Sequence, residues 1–159
     1  GGGGAGPPRP PWAPPPPPRW RHVSWAYGGD VYVLGGSTRE AQALNLGDLH
    51  CYRVAENRWE AVECAGEAPS ARHDCTAVVH GEVVYLFGGN AGGRKAAEPL
   101  NDLWKLDLRK CEWERVPGTP PAGARYAHAA LATPEGMLVV GGDTGSEGQK
   151  LGDAIMYAW

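Results

Sequence analysis

Residues 83–104 read VVYLFGGNAGGRKAAEPLNDLW, and the order of their landmarks decides the fold. Val83 to Phe87 is an apolar run of strand length, stopped by Gly88-Gly89. A polar loop leads to Asn101-Asp102, after which Leu103 to Leu108 alternates between two faces, the period of a strand. The same landmarks recur on either side. Glycine pairs stand at Gly35-Gly36 and Gly141-Gly142, 53 residues before and after Gly88-Gly89. Sixteen residues ahead of each pair is an arginine: Arg19, Arg72 and Arg125. Behind each pair comes a Gly/Asn-Asp step, at Gly47-Asp48, Asn101-Asp102 and Gly152-Asp153. Two units then close with Trp59 and Trp113, each 11 residues past its aspartate. Four landmarks in fixed order, three times over, signal a propeller or a solenoid.

The second unit resolves into four short strands. Thr76 to Val79 runs to a tight turn at His80-Gly81, and Val83 to Phe87 follows. Leu103 to Leu108 comes next, then a turn over Arg109 to Glu112, and Trp113 to Val116 closes the unit. Short strands joined by turns make a four-stranded antiparallel blade. The sequence therefore predicts an all-β propeller fragment of about three blades, the third incomplete, in units of about 19–68, 69–121 and 122–159. Residues 1–18 are nearly all Gly, Pro and Ala. Such a segment buries too little apolar surface to offset its ordering entropy, so it is expected to be a disordered leader and spacer. Blades bury their faces against neighbours, and three are too few for a ring. The chain is therefore expected to be a piece of a longer protein, marginal or aggregation-prone alone.

Net charge of −3 and a pI near 5.9 argue against nucleic acid or an anionic membrane as partner. The longest apolar runs, such as Met137 to Val140, are too short to span a bilayer. Cys51, Cys64, Cys75 and Cys111 lack CxxC or zinc-ligand spacing. They read as reduced cysteines of a cytoplasmic or nuclear protein, with a Cys64–Cys111 disulfide as the alternative.

The landmarks resemble the kelch repeat. Leu34-Gly35-Gly36, Phe87-Gly88-Gly89, Val140-Gly141-Gly142, the Asn101-Asp102-Leu103-Trp104 run and Trp113 carry that likeness, over about 140 residues. Pro69-Ser70-Ala71-Arg72 matches the "P-x-x-R" opening of the longer-repeat branch, whereas the third unit has Ala122 in place of the proline. The resemblance implies a ring of blades that serves as a protein-binding platform.

In an antiparallel blade the second-to-third strand loop shares an end with the blade-to-blade connection. The long segments Ser37–Leu46, Asn90–Leu100, Asp143–Leu151, Glu63–Ala71 and Pro117–Ala124 are thus expected on one face. Function concentrates on loops held by a rigid scaffold, so Arg39, Glu40, Arg94, Lys95, Glu98, Glu147 and Lys150 are the candidate binding residues. The repeated arginines read as structural, each guanidinium tying loops through backbone carbonyls. The glycine pairs read as positions of close backbone approach, and Trp59 and Trp113 as inter-blade packing.

No reaction chemistry stands out. His22, Cys75 and His128 share a repeat position, but no carboxylate recurs there to complete a metal site. The iron motif of the nitrile-specifier kelch proteins runs Glu-x3-Asp-x3-His; Glu98 and Asp102 fit, yet Leu106 stands where imidazole is needed. Catalytic residues, metals and cofactors are therefore expected to be none. The expected function is a scaffold that binds another protein through the long-loop face. The alternative is a targeting propeller attached to a phosphatase or ubiquitin-ligase adaptor domain outside these residues.

Overall fold

The computed structural model describes residues 14–38, 45–93, 96–145 and 149–159. Most of the leader, residues 1–13, lies outside them; residues 14–19 carry no regular structure.

The described chain is strand and turn apart from one 3-10 turn at Val54–Glu56. The first blade is β1 (Val23–Tyr27), β2 (Asp30–Leu34), β3 (Leu49–Arg53) and β4 (Arg58–Val62), antiparallel in that order. A two-residue strand, β5 (Ala65–Gly66), follows. The second blade is β6 (Thr76–His80), β7 (Val83–Phe87), β8 (Leu103–Asp107) and β9 (Glu112–Arg115). The third holds β10 (Ala129–Ala132), β11 (Gly136–Asp143) and β12 (Lys150–Ala158), three strands only.

Strand alternation gives every blade two faces, and two cores form where they meet. Between blades 1 and 2, Trp25, Leu34 and Leu49 pack against Val84, Leu86, Trp104, Leu106 and Trp113. Between blades 2 and 3, Val78, Phe87 and Leu103 meet Met137 and Val139. Trp113 is buried in the first of these cores. Trp59 occupies the matching place in blade 1, on the face turned away from blade 2. It is half-buried there, its ring 5.1 Å from that of Tyr52.

The first connection departs from the sequence reading. Glu63–Ala71 was expected as a loop on the long-loop face, yet Ala65–Gly66 runs parallel to β9 as a fifth strand on blade 2's outer edge. Cys64 and Cys111, read from the sequence as reduced, are joined in a disulfide. The reason is register: Ala65 pairs with Glu112, so the residues just before them are brought side by side, with Cα atoms 4.7 Å apart. The compartment argument drawn from four thiols keeps only Cys51 and Cys75, both buried.

A candidate interaction face on a clamped scaffold

The repeated arginine, aspartate and glycines form one device in every blade. Arg72 donates from Nη1 to Gly88 O at 3.0 Å and grips Asp102 with both terminal nitrogens, at 2.6 and 2.8 Å. Arg19 does the same with Gly35 O and Asp48, and Arg125 with Gly141 O and Asp153. Arg72 and Arg125 are each 1% exposed. A planar fork that meets a carboxylate bidentately is the arrangement only arginine supplies.

Each aspartate responds to its surroundings. The Arg19 hydrogen bonds bring the Asp48 carboxyl down to about 2, with His50 Nε2 assisting at 2.7 Å. At Asp102 burial pushes the carboxyl up, but Arg72 and a 2.7 Å bond from Trp104 Nε1 leave it below its ordinary value.

The glycine pair fastens one blade to the next. Gly89 N donates to Arg125 O at 2.9 Å, and Gly36 N to Arg72 O at 2.9 Å. A side chain on Gly88 would place its Cβ 2.7 Å from that same Arg125 carbonyl, at φ +60. On Gly89 it would strike Cys75 Cβ at 2.8 Å and His73 O at 2.9 Å. A glycine is needed at both.

Just ahead of β1, β6 and β10, a second backbone chain links the blades. Arg21, Asp74 and Ala127, each two residues past its arginine, all have positive φ, at 56, 54 and 53 degrees. Asp74 N donates to Arg21 O at 3.0 Å, and Ala127 N to Asp74 O at 2.9 Å.

The long loops sit on these fastenings. Asn45 Nδ2 donates to Ala91 O at 2.7 Å, and its Oδ1 lies 2.7 Å from His73 Nδ1, so a loop of blade 1 is tied to blade 2. Asn90 Oδ1 accepts from Gly92 N and Glu98 N, both at 2.8 Å, closing the base of the second loop. Trp20, Arg21, Ser37, Asn45, His73 and Gly92 line a shallow hollow between the two loops. Of the candidate residues, Glu98 is exposed, and Lys150 is exposed but paired with Asp143. Arg39, Glu40, Arg94, Lys95 and Glu147 lie outside the described residues.

Of the positions singled out from the sequence for chemistry, Cys75, Asp102, Leu106 and His128 are buried or already held. Burial pushes the Cys75 thiol up to about 12, which leaves no thiolate near neutral pH. Leu106 is 1% exposed in the core and Asp102 is held by Arg72, so that pair forms no open ligand set. Among the described residues no group of three or more His, Cys, Asp or Glu could hold a metal ion.

His128 does respond to pH. It is 7% exposed, its Nε2 lies 2.7 Å from Thr76 Oγ1, and burial, aided by the Arg125 charge, brings it down to about 4. The folded chain therefore favours neutral His128, whereas the unfolded chain protonates it below about 6.5. Stability is expected to drop by about 3 kcal/mol as the pH is lowered from 6.5 to 4. The slope is read from urea midpoints across that window. His128→Cys, which installs the residue found at position 75, should flatten it; an unchanged slope would show that another group titrates.

Repeated antiparallel blade sheets, packed face to face and clamped by Arg, Asp and Gly-Gly, define a propeller of the kelch type. Residues 9–142 match the family model described as the KLHDC2/KLHL20/DRC7 Kelch-repeats domain, and the chain belongs to that family. It is 33% identical over 148 residues to kelch domain-containing protein 10 of Xenopus tropicalis, covering 89% of this chain and 34% of that one. It is 24% identical over 127 residues to Ras guanine nucleotide exchange factor F of Dictyostelium discoideum, covering 79% of this chain and 11% of that one. Among solved structures, YjhT superimposes with a TM-score of 0.66 at 18% identity, over 80% of this chain and 46% of that one. The chain thus spans about a third of the length of the first curated relatives it matches.

Proposed function

We propose that the protein is an interaction scaffold that binds another protein through its long-loop face and carries no chemistry of its own. The observation behind this is a pair of Asn-centred ties: Asn45 and Asn90 fasten the described bases of two long loops on neighbouring blades. Anchoring the ends of a loop to a rigid scaffold lowers the ordering cost of binding through it. The mixed charges of Arg39, Glu40, Arg94, Lys95, Glu98, Glu147 and Lys150 suit a polar protein surface.

The test is affinity capture with two matched variants. Arg94→Glu with Lys95→Glu reverses charge on the long-loop face, and Arg109→Glu does so on a short turn at the opposite end. Loss of at least tenfold of a captured protein in the first variant, with retention in the second, supports the reading. Equal capture by both would mean that binding lies elsewhere.

A second reading is a targeting propeller within a larger protein, such as a phosphatase or ubiquitin-ligase adaptor. It draws on the small share of the matched relatives that this chain covers. Sequencing the transcript on both sides decides between an adjoining domain and further blades.

A further inference from the structure

The connection from blade 1 to blade 2 is held to the outer edge of blade 2 by a very short strand. Blade 1 ends at Val62, which pairs with Leu49. The chain is fixed again at Arg72, whose N donates to Leu46 O at 3.1 Å and whose O accepts from Gly36 N. Between these points Ala65, Gly66, Glu67 and Ala68 are exposed. Ala65 N donates to Cys111 O at 2.8 Å, and Ala65 and Gly66 pair with Glu112 and Trp113. The seat is close, since a Cβ on Gly66 would collide with Trp113 O. Two residues are well short of the usual strand of about five or six, so this pairing alone opens readily. The Cys64–Cys111 bond, one residue ahead of β5, is what fastens it.

The four cysteines differ in access. Cys51 and Cys75 are buried, whereas Cys64 and Cys111 are half-buried at the edge of blade 2, within reach of a small thiol. Cys111 also sits against the preference of its own backbone. It has φ +52, in the left-handed region. The same place in blade 1, two residues ahead of Trp59, is taken by Asn57 with φ +51. Asparagine suits that conformation and cysteine does not, so the turn carries a thiol in place of the residue it favours.

We propose that Cys64–Cys111 is a redox latch: a dithiol reductant opens it, β5 leaves β9, and residues 63–68 are released while the blades stay joined. A thiolate of the dithiol attacks one of the two sulfurs, the Cys64–Cys111 bond breaks, and a mixed disulfide forms. The second thiol of the reductant then displaces the attached cysteine. Two electrons and two protons pass to the protein, leaving two cysteine thiols and a disulfide within the reductant. The joints survive because they lie outside the latch. Gly36 N to Arg72 O, Arg72 N to Leu46 O and Asp74 N to Arg21 O all link blades 1 and 2 without residues 63–68. Opening bares the edge of β9 at Glu112 and Trp113, the groups that β5 covers in the closed state. The latch lies at the outer edge of blade 2, so it and the long-loop reading stand or fall separately.

The test is hydrogen exchange of the whole 159-residue chain, read by mass spectrometry before and after treatment with dithiothreitol. Reduction should speed exchange in residues 63–68 by about tenfold or more and leave β7, β8 and β11 unchanged. Maleimide added to the reduced, folded chain should label Cys64 and Cys111 and spare Cys51 and Cys75. Cys64→Ser should show the opened pattern with or without dithiothreitol; if that variant does not fold, reduction of the native chain decides alone. A folded chain that dithiothreitol fails to reduce overturns the proposal. So does reduction that leaves exchange in residues 63–68 unchanged. Acceleration across all three blades, or loss of the fold on reduction, overturns it too, since the bond is then a staple of the whole structure.

Discussion

Replacing Arg72 with leucine is expected to cost about 3–5 kcal/mol, the usual range for breaking a buried ion pair by removing one partner. The loss is large because the substitution would abandon several groups at once. Asp102 would keep its charge with only Trp104 Nε1 as a side-chain donor, and Gly88 O and Ser70 O would lose theirs. The same change at Arg19 should cost only about 1–2 kcal/mol, because Asp48 is 40% exposed against 14% for Asp102, so water can replace the arginine. Urea midpoints of the two variants make the comparison. Equal losses would mean that burial is not what gives the clamp its strength. If Arg72→Leu fails to fold, Arg72→Lys retains the charge without the fork and should fall between the two.

Trp113→Ala is the second large effect, about 3–5 kcal/mol for emptying a buried indole site. Trp113 is 4% exposed within the core between blades 1 and 2, and its backbone pairs with Gly66 of β5. The damage should therefore be local in a specific way. Hydrogen exchange at β5 and β9 should accelerate first, with β11 and β12 retaining protection. Trp113→Phe, which refills most of the volume, should recover more than half of the loss. Uniform acceleration across all three blades would indicate one cooperative unit in place of stacked ones.

Much of the architecture could be read in advance from spacing. Val83–Phe87 and Leu103–Asp107 are the apolar run and the alternating run, and Gly88-Gly89 stops the first where a Cβ would meet the next blade. The repeat itself reported that Arg72 and Asp102 matter, because both recur with it. That they hold each other was hidden, since 30 residues and two strands separate them. Spacing records recurrence, whereas contact depends on how strands fold back. Asn45 and Asn90 were missed for a related reason: each acts once, through carbonyls and amides that leave no trace in side-chain pattern. The one available signal was position, because both lie just outside strands at the base of long polar loops. The Cys64–Cys111 bond stood only as an alternative, because what selects it is the parallel register of β5 on β9.

The backbone links at Arg21, Asp74 and Ala127 have a consequence for how this scaffold can change over time. Neighbouring blades are joined there by main-chain groups that every residue except proline possesses as both donor and acceptor. The left-handed conformation is the sole demand on identity, at a cost of about 1–2 kcal/mol for most residues. A cation, an anion and a methyl group already occupy the three equivalent places. Mutation can thus redraw the charge along this line, blade by blade, with the joints left intact. These joints form a line of side chains on which new specificities can be drafted without redesigning the frame.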